Sequence, residues 1–233
     1  MGQRVMLLGS VTFAACLLAV TACGDSDQQS ADRQIEVHAS EAVPVASFDD
    51  WASYSDAVIV ATAKSESELA VSDAEAASGE GMVPRMVSAD VVEVLWRHPD
   101  GPAEPPDTIE FLSAGWIRGD GTQHEMAYEG AVRVEVGSTY LMPISYDPGD
   151  DEWAPLTPSS VVLLDDEASV AQVPDAAAQA EDTGPAVAMT SGDLAAAMDQ
   201  ATPDPVAEAN RHLPARERYV AVLTAREAAS GQG

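Results

Sequence analysis

The chain has 233 residues, 46% of them hydrophobic, and a formal net charge of −28 from 39 acidic and 11 basic residues. That length allows one folded domain with flanking tails. A negative field of this size repels nucleic acid and anionic lipid headgroups, so the charge excludes a basic binding groove and nucleic acid as a partner.

The first 22 residues have the pattern of a secretory signal peptide. Arg4 lies in a short N-terminal region, and an apolar run follows from about Val5 to Val20. Glycine, serine and threonine interrupt that run, which falls short of the roughly 20 apolar residues that a membrane-spanning helix needs. We therefore predict that residues 1–22 direct export and are removed.

The segment Val20-Thr21-Ala22-Cys23 resembles the lipobox of bacterial lipoproteins, in which an aliphatic residue and two small residues precede the acceptor thiol. The resemblance implies cleavage before Cys23 and diacylglycerol on its thiol. Acylated Cys23 would then hold the protein in the lipid of the cell membrane, on the extracytoplasmic side. An uncleaved N-terminal anchor and ordinary cleavage without lipid are the two alternatives.

Cysteine usage limits the chemistry of the mature chain. Cys16 is lost with the signal peptide and Cys23 is acylated, so no thiol remains for a disulfide or a thiolate metal site. Phe13-Ala14-Ala15 makes a poor lipobox before Cys16, which is therefore not the expected acceptor. Loss of Arg4 leaves 10 basic and 39 acidic residues, a net charge of −29.

Residues 23–46 are polar and acidic and contain no aromatic residue, which predicts a disordered tether between the anchor and the folded body. As a coil, this segment would reach on the order of 25 Å. An anionic membrane surface would also repel the folded body, because the mature chain is so acidic.

Ten of the twelve aromatic residues lie between Phe48 and Trp153, so we expect the folded body within residues 47–166. Ser47 can cap a short N-terminal helix, in which Phe48 and Trp51 share one face. The body therefore begins with a helix that carries two aromatic side chains toward the core.

Short runs rich in β-branched residues predict strands along the rest of the body. In the second strand a change of phase near Val92 predicts a β-bulge or a sharp bend. Residues 114–130 are predicted to form a wide loop. The predicted strands are 57–63, 86–96, 108–113, 132–136, 139–142 and 153–164.

Residues 167–190 are acidic and rich in alanine and proline, and are predicted to be a linker. Residues 191–233 are predicted to form a helical C-terminal tail. Ser191 can cap its first helix, and a proline at 203 or 205 can open the second. Apolar spacing from Tyr219 to Leu223 predicts a third helix, with a strand at 218–223 as the alternative.

Four segments of the body follow one another in a familiar order, namely Ser55–Thr62, Val91–Trp96, Asp107–Phe111 and Val136–Leu141. The order is similar to that of the netrin-module and tissue-inhibitor-of-metalloproteinase type of barrel. This resemblance implies a mainly β fold, a small five-stranded OB-like barrel. Protease inhibition in that family uses a free N-terminal cysteine, and acylated Cys23 does not provide one.

No motif predicts a catalytic centre or a metal site, because the four histidines lack metal-ligand spacing and no nucleophile elbow or phosphate loop occurs. His124 and Glu125 could act as an acid–base pair in the predicted wide loop. An acidic cluster offers oxygen ligands to calcium but lacks the spacing of a calcium loop. The cluster consists of Asp147, Asp150, Asp151 and Glu152.

Basic residues are scarce, and their distribution predicts structural roles. Lys64 is the only lysine, and the tripeptide Arg118-Gly119-Asp120 is interpreted as part of a turn. The one basic concentration is expected to pair with the acidic body, and contact with lipid phosphates is the alternative. It consists of Arg211, Arg216, Arg218 and Arg226.

The sequence therefore predicts a membrane-anchored lipoprotein that acts without catalysis as a binding or protein-interaction module. Its partner is an unidentified protein or small molecule, and no cofactor or metal is expected. Barrels of the predicted type bind through loops and one open face, which directs attention to residues 98–106 and 114–130. The alternatives are a hydrolase-type enzyme with a site near His124 and Glu125, and a calcium or small-ligand binder through Asp147–Glu152.

Overall fold

A computed structural model describes residues 34–38, 41–71, 77, 79, 81–102, 104–119, 121–164, 171–173 and 187–231. The described residues belong to one compact unit, residues 32–233. The signal peptide, Cys23 and Asp120 lie outside the described residues, so the predictions made for them stay predictions.

Ten strands and four α-helices make up the described part of the chain. The strands are β1 Ile35–Val37, β2 Ala57–Glu68, β3 Gly81–Arg97, β4 Thr108–Gly119, β5 Thr122–Tyr128, β6 Thr139–Asp147, β7 Glu152–Pro155, β8 Val162–Leu164, β9 Ala171–Val173 and β10 Val187–Met189. The helices are α1 Phe48–Tyr54, α2 Ser191–Gln200, α3 Pro205–Ala209 and α4 Ala215–Ser230, with a 3-10 helix at Pro158–Ser160.

Eight strands form one sheet, which curls into a half-barrel. Its order is β1-β5-β4-β3-β2-β6-β7, and β8 also pairs with β6. All pairings in this sheet are antiparallel except that of β1 with β5. The prediction of a mainly β fold is confirmed, but the prediction of five strands is wrong. The count differs because β1 lies in the predicted tether, β5 lies in the predicted wide loop, and the single strand predicted for 153–164 is two strands, β7 and β8.

The concave face of the sheet holds the main core. Alternate residues of β2 are fully buried there, from Ala57 to Ala63, and the inward side chains of β3, β4 and β6 pack against them. The ladder between β2 and β3 pairs Val60 with Glu93 and Ala61 with Val91, which leaves Val92 unpaired. This β-bulge confirms the phase change predicted near Val92.

Helices cover the other face of the first half of β2, so residues 57–61 are buried on both sides, whereas residues 64–68 are exposed. Val58 packs there with Trp51 of α1 and with Leu194 and Met198 of α2. A third apolar cluster joins α1 to α3 and α4 beside the sheet. The C-terminal helices are therefore part of the folded body, because their apolar stripes cover the outer face of the sheet.

The helix starts follow capping chemistry. Ser47 and Asp50 form the capping box of α1, as the sequence predicts for Ser47, and the rings of Phe48 and Trp51 meet edge to face at 5.7 Å. The cap of α2 is Thr190 rather than the predicted Ser191. Residues 218–223 are helical within α4, so the strand alternative is wrong.

Three predicted non-strand regions contain strands. β1 lies within the predicted tether and pairs in parallel with β5, and Val43 is buried at 2% exposure. β9 and β10, an antiparallel pair, lie within the predicted linker. Residues 114–130 form the end of β4 and all of β5 rather than a wide loop, because backbone pairing with β3 continues past Gly115. Conversely, residues 132–136, which were predicted as a strand, are irregular and end in a turn.

Candidate functional site

The curled sheet leaves a seam between β4 and β7. The pairing of β5 with β4 is limited to residues 116–119 of β4. Residues 108–113 of β4 therefore pair with β3 alone. β7 pairs only with β6. Cα atoms of β4 and β7 approach within 8 Å of each other, yet no ladder joins these two strands in the described part of the chain. The seam therefore has a free strand edge on each side.

Backbone polar groups of β4 face this seam at alternate residues. Val91 N donates to Asp107 O at 2.8 Å, which fixes the alternation of the antiparallel ladder between β3 and β4. Residues 109, 111 and 113 then exchange hydrogen bonds with β3. The N–H and C=O groups of Glu110 and Leu112 consequently point away from β3, toward the seam.

A cavity of about 530 Å³ lies along the seam, and we call it the seam groove. Its volume falls within the roughly 300–1,000 Å³ of small-molecule sites. Most of its wall is apolar. The apolar lining includes Leu69, Phe111, Leu112, Val132, Val134 and Leu156.

Large apolar side chains stay exposed at the groove. Leu112 is 65% exposed and Val132 is 41% exposed, and both line the cavity. Exposed apolar surface that lines a cavity marks a place where a ligand or partner can bury it. The seam groove is therefore the strongest candidate for a binding site among the described residues.

Two arginines hydrogen-bond to backbone carbonyls at one end of the groove. Arg85 is fully buried, and its guanidinium donates to the carbonyls of Ala114 and Val134, which both line the groove, and to the Glu66 carboxylate. Burial first, and then the charge of Arg133, lowers the pKa of Arg85. Ordinary guanidinium pKa values lie so high that Arg85 keeps its charge at neutral pH.

Arg133, in the irregular segment 131–135, also binds backbone carbonyls of β4. Its Nη1 donates to the carbonyls of Ala114 and Gly115 at 2.7 and 2.6 Å, and its guanidinium lies 5.2 Å from the ring centroid of Trp116. Side-chain hydrogen bonds thus replace a backbone ladder where β4 meets residues 131–135. They give this end of the groove a fixed geometry.

A second cavity, of about 480 Å³, lies where the sheet meets α3, and we call it the polar cleft. Asp56 and Arg211 line it, and both are buried. Arg211 donates to the carbonyls of Ser55 and Ala52 at 2.7 and 2.6 Å and to Glu208 at 3.0 Å. Because these charges bind each other and the backbone, we assign the cleft a structural role.

His98 belongs to the same charged network. Its Nδ1 accepts a hydrogen bond from the Asp100 N–H at 3.1 Å, and its Nε2 lies 3.1 Å from Glu208 Oε2. Burial, followed by the charge of Arg211, lowers the pKa of His98. Burial raises the pKa of the Glu208 carboxyl. The contacts with Arg211 and His98 lower this pKa by more, so it falls below its ordinary value. These contacts hold His98 as a neutral donor to Glu208.

The structure does not bring His124 and Glu125 together as an acid–base pair. Both lie on β5, where adjacent side chains point to opposite faces of the sheet. His124 Nε2 lies 3.1 Å from Thr122 Oγ1, whereas Glu125 lies 3.9 Å from Arg133. The enzyme alternative therefore has no geometric support at this pair.

The acidic cluster forms the turn between β6 and β7. Asp147 Oδ1 accepts from Gly149 N at 2.8 Å, and Asp151 Oδ1 accepts from the hydroxyl of Tyr146 at 2.5 Å. Glu152 instead lines the seam groove. Among the residues described, no group of three or more His, Cys, Asp or Glu side chains is placed to hold a metal ion.

The two regions that the sequence favoured for binding lie at different cavities. Residues 100–102 line the polar cleft, whereas Ala114 and Tyr128 line the seam groove. No motif in the sequence marks the groove itself. Exposed Leu112, next to the inward residue Phe111, was the one available signal.

Comparisons with known proteins do not identify the chain. No protein family, no curated protein and no solved structure matches it. Within the described ranges, no helix is long and apolar enough to cross a membrane.

Proposed function

We propose that this protein is an exported lipoprotein, held at the extracytoplasmic face of the cell membrane by acylated Cys23, and that it binds an apolar ligand without catalysis. The seam groove is the proposed binding site. One observation carries the proposal: a cavity of about 530 Å³ with mainly apolar walls lies between two free strand edges, with Leu112 and Val132 exposed at it.

The size and lining of the groove favour a small ligand over a large protein surface. Small-molecule sites are concave and mostly apolar, with a few polar groups that orient the ligand. Burying exposed apolar surface contributes roughly 25 cal/mol for each Å² removed from water. A ligand that covers Leu112 and Val132 would gain this free energy of burial without unfolding any part of the sheet.

A neutral apolar fluorophore, N-phenyl-1-naphthylamine, tests the groove directly. We expect the wild-type protein to bind it with one site per chain and to increase its fluorescence. Leu112→Asp should weaken this binding at least about tenfold, because a carboxylate at an apolar wall costs more than about 1.4 kcal/mol.

Val92→Asp is the matched control. Val92 is 64% exposed, in the bulge of β3, and does not line the groove, whereas Leu112 is 65% exposed and does. The control should bind the fluorophore as the wild type does. Equal loss in both variants, or absence of saturable binding to the wild type, would contradict the proposed site.

The anchor needs its own test, because Cys23 lies outside the described residues. Mass spectrometry of the mature protein should find the N-terminus at Cys23 with a diacylglycerol adduct. The Cys23→Ser variant should no longer be found in the membrane fraction. An unmodified Cys23 or an intact Met1 would contradict the lipoprotein proposal. Fluorophore binding by the detergent-solubilised protein is independent of that outcome.

We also keep the relationship to OB-like barrels of the netrin-module type as a proposal. The curled, mainly antiparallel sheet supports it. Eight strands in that sheet, and a parallel edge strand, depart from the pattern. The proposed binding site does not depend on this relationship.

A further inference from the structure

Two carboxylates line the seam groove from opposite sides. Glu110 lies on β4 and Glu152 on β7, and both side chains are exposed. Neither forms an ion pair or a side-chain hydrogen bond with any other residue that the structure describes. The groove therefore combines apolar walls with two negative charges that no cation among the described residues neutralises.

Three other acidic residues near the groove differ from this pair, because each forms an ion pair with an arginine. Each arginine near the groove is committed to a carboxylate of its own. The pairs are Arg85 with Glu66, Arg118 with Glu68, and Arg133 with Glu135. Within the described ranges, the carboxylates of Glu110 and Glu152 therefore have no cationic partner.

The width of the seam limits what can enter. Cα atoms of β4 and β7 approach within 8 Å. A peptide strand paired with both edges would need about 9.5 Å, twice the roughly 4.7–4.9 Å between neighbouring strands. The occupant is therefore narrower than a strand, such as an alkyl chain or a ring.

We propose that the seam groove binds an amphiphilic amine, a small molecule with an apolar body and a cationic group. This inference rests on the proposed function and names its ligand class. The apolar body occupies the groove beside Phe111 and Val134, and the ammonium group lies between the carboxylates of Glu110 and Glu152. Tyr128, also in the lining, adds an aromatic ring, and ring faces attract ammonium groups.

The charge pattern also separates this class from other apolar ligands. A fatty-acid anion would place its carboxylate beside Glu110 and Glu152, where like charges repel. An inorganic cation or a polyamine would leave the apolar wall uncovered. Only a ligand with both features satisfies both parts of the site.

Three ligands with the same alkyl chain test the inference, namely decylamine, decanol and decanoate, each below its micelle concentration. Displacement of N-phenyl-1-naphthylamine from the full mature protein gives the three affinities. We expect decylammonium to bind about five- to tenfold more tightly than decanol, and decanoate to bind most weakly, since two exposed ion pairs contribute up to about 1 kcal/mol each.

Variants locate the charge effect. The double variant Glu110→Gln with Glu152→Gln should reduce the preference for decylammonium over decanol to about twofold or less. Glu93→Gln is the matched control, because Glu93 is exposed on β3 and does not line the groove. It removes one negative charge from the chain and should leave most of the preference intact.

The outcomes separate the two proposals. Equal binding of decylamine and decanol, tighter binding of decanoate, or a preference that the double variant keeps would overturn the ligand class while the groove remains a binding site. Failure of all three ligands and of the fluorophore to bind would overturn the proposed function as well.

Discussion

Arg218 on α4 donates from Nη2 to Oδ2 of Asp56 at 2.9 Å, and the two side chains are 0% and 1% exposed. The two residues are 162 positions apart in the chain. Asp56 Oδ2 also accepts from Tyr146 N at 2.9 Å, and Arg211 Nη1 lies 3.6 Å from Asp56 Oδ1. One carboxylate at the start of β2 thus connects the C-terminal helices to β6.

Removing Arg218 should destabilise the whole unit. Arg218→Met leaves the Asp56 charge buried with weaker compensation, so we expect the free energy of unfolding in urea to fall by about 3–5 kcal/mol. Arg226→Met is the control, because Arg226 pairs with Asp204 at 3.0 Å but is 67% exposed. Its loss should cost less than about 1 kcal/mol. Equal effects of the two variants would show that the buried pair does not hold the helices.

Gly115 should tolerate no side chain. A Cβ built at Gly115 would lie 1.9 Å from Val83 O, whereas nothing lies within 4 Å of one at Gly119 on the same strand. Gly115→Ala should therefore cost about 3 kcal/mol or more through backbone displacement, and Gly119→Ala less than about 0.5 kcal/mol. Thermal unfolding of the two variants gives the comparison. A Gly115→Ala protein as stable as Gly119→Ala would contradict the close packing of β3 on β4.

His98 should make the protein less stable in mild acid. Its folded pKa is lowered from the ordinary 6.5 by burial and the charge of Arg211, so below about pH 6.5 the unfolded chain binds a proton that the native state resists. The free energy of unfolding should then fall between about pH 7.5 and about pH 5.5, and less so in His98→Gln. Urea unfolding of both proteins at about pH 7.5 and about pH 5.5 measures this fall in the free energy of unfolding.

His212→Gln removes an exposed imidazole and serves as the control for this pH dependence. It should keep the wild-type fall in stability. At lower pH the lowered pKa of Glu208 adds a second loss, because protonation below its ordinary value of 4.5 weakens its contacts with Arg211 and His98. Identical pH dependence in wild type and His98→Gln would refute the assignment to His98.

The cap of α2 distinguishes two adjacent hydroxyl residues. Thr190 Oγ1 accepts a hydrogen bond from Asp193 N at 3.1 Å, and the Asp193 carboxylate accepts one from Thr190 N at 3.2 Å. Thr190→Ala should lower stability by about 1 kcal/mol, and Ser191→Ala by only a few tenths. Chemical unfolding of both variants measures the difference. The reverse ranking would restore the cap that the sequence predicted.

Local signals in the sequence predicted local structure well. Ser47 was found as a cap because its partner, Asp50, lies three residues away, and the bulge at Val92 was found because it shifts the alternation within one strand. The cap of α2 was placed one residue late, because Thr190 and Ser191 both have hydroxyl side chains. The expected pairing of the C-terminal arginines with the acidic body is confirmed for Arg211 and Arg218, whereas Arg226 pairs with Asp204 within the C-terminal segment.

Features that depend on distant pairing could not be predicted from the sequence. Residues 35–37 resemble the rest of the predicted tether and become a strand only because β5 offers a free edge to them. Glu110 and Glu152 have no common motif, and they meet at the seam groove because the sheet curls. The identity of Asp56 as the partner of two arginines also depends on how α3 and α4 pack, which composition does not specify.

Lys64 lies at the break in the ladder where Ala63 pairs with Ala89 and Ser65 with Ser88, and its ammonium contacts Asp90 at 2.9 Å. Its side chain is 64% exposed, and it is the one lysine in the sequence. Amine-reactive dyes would therefore attach at a single known side chain, on a strand that does not line the seam groove. The protein therefore carries its own position for labelling, immobilisation or distance measurement, and no engineered cysteine is needed.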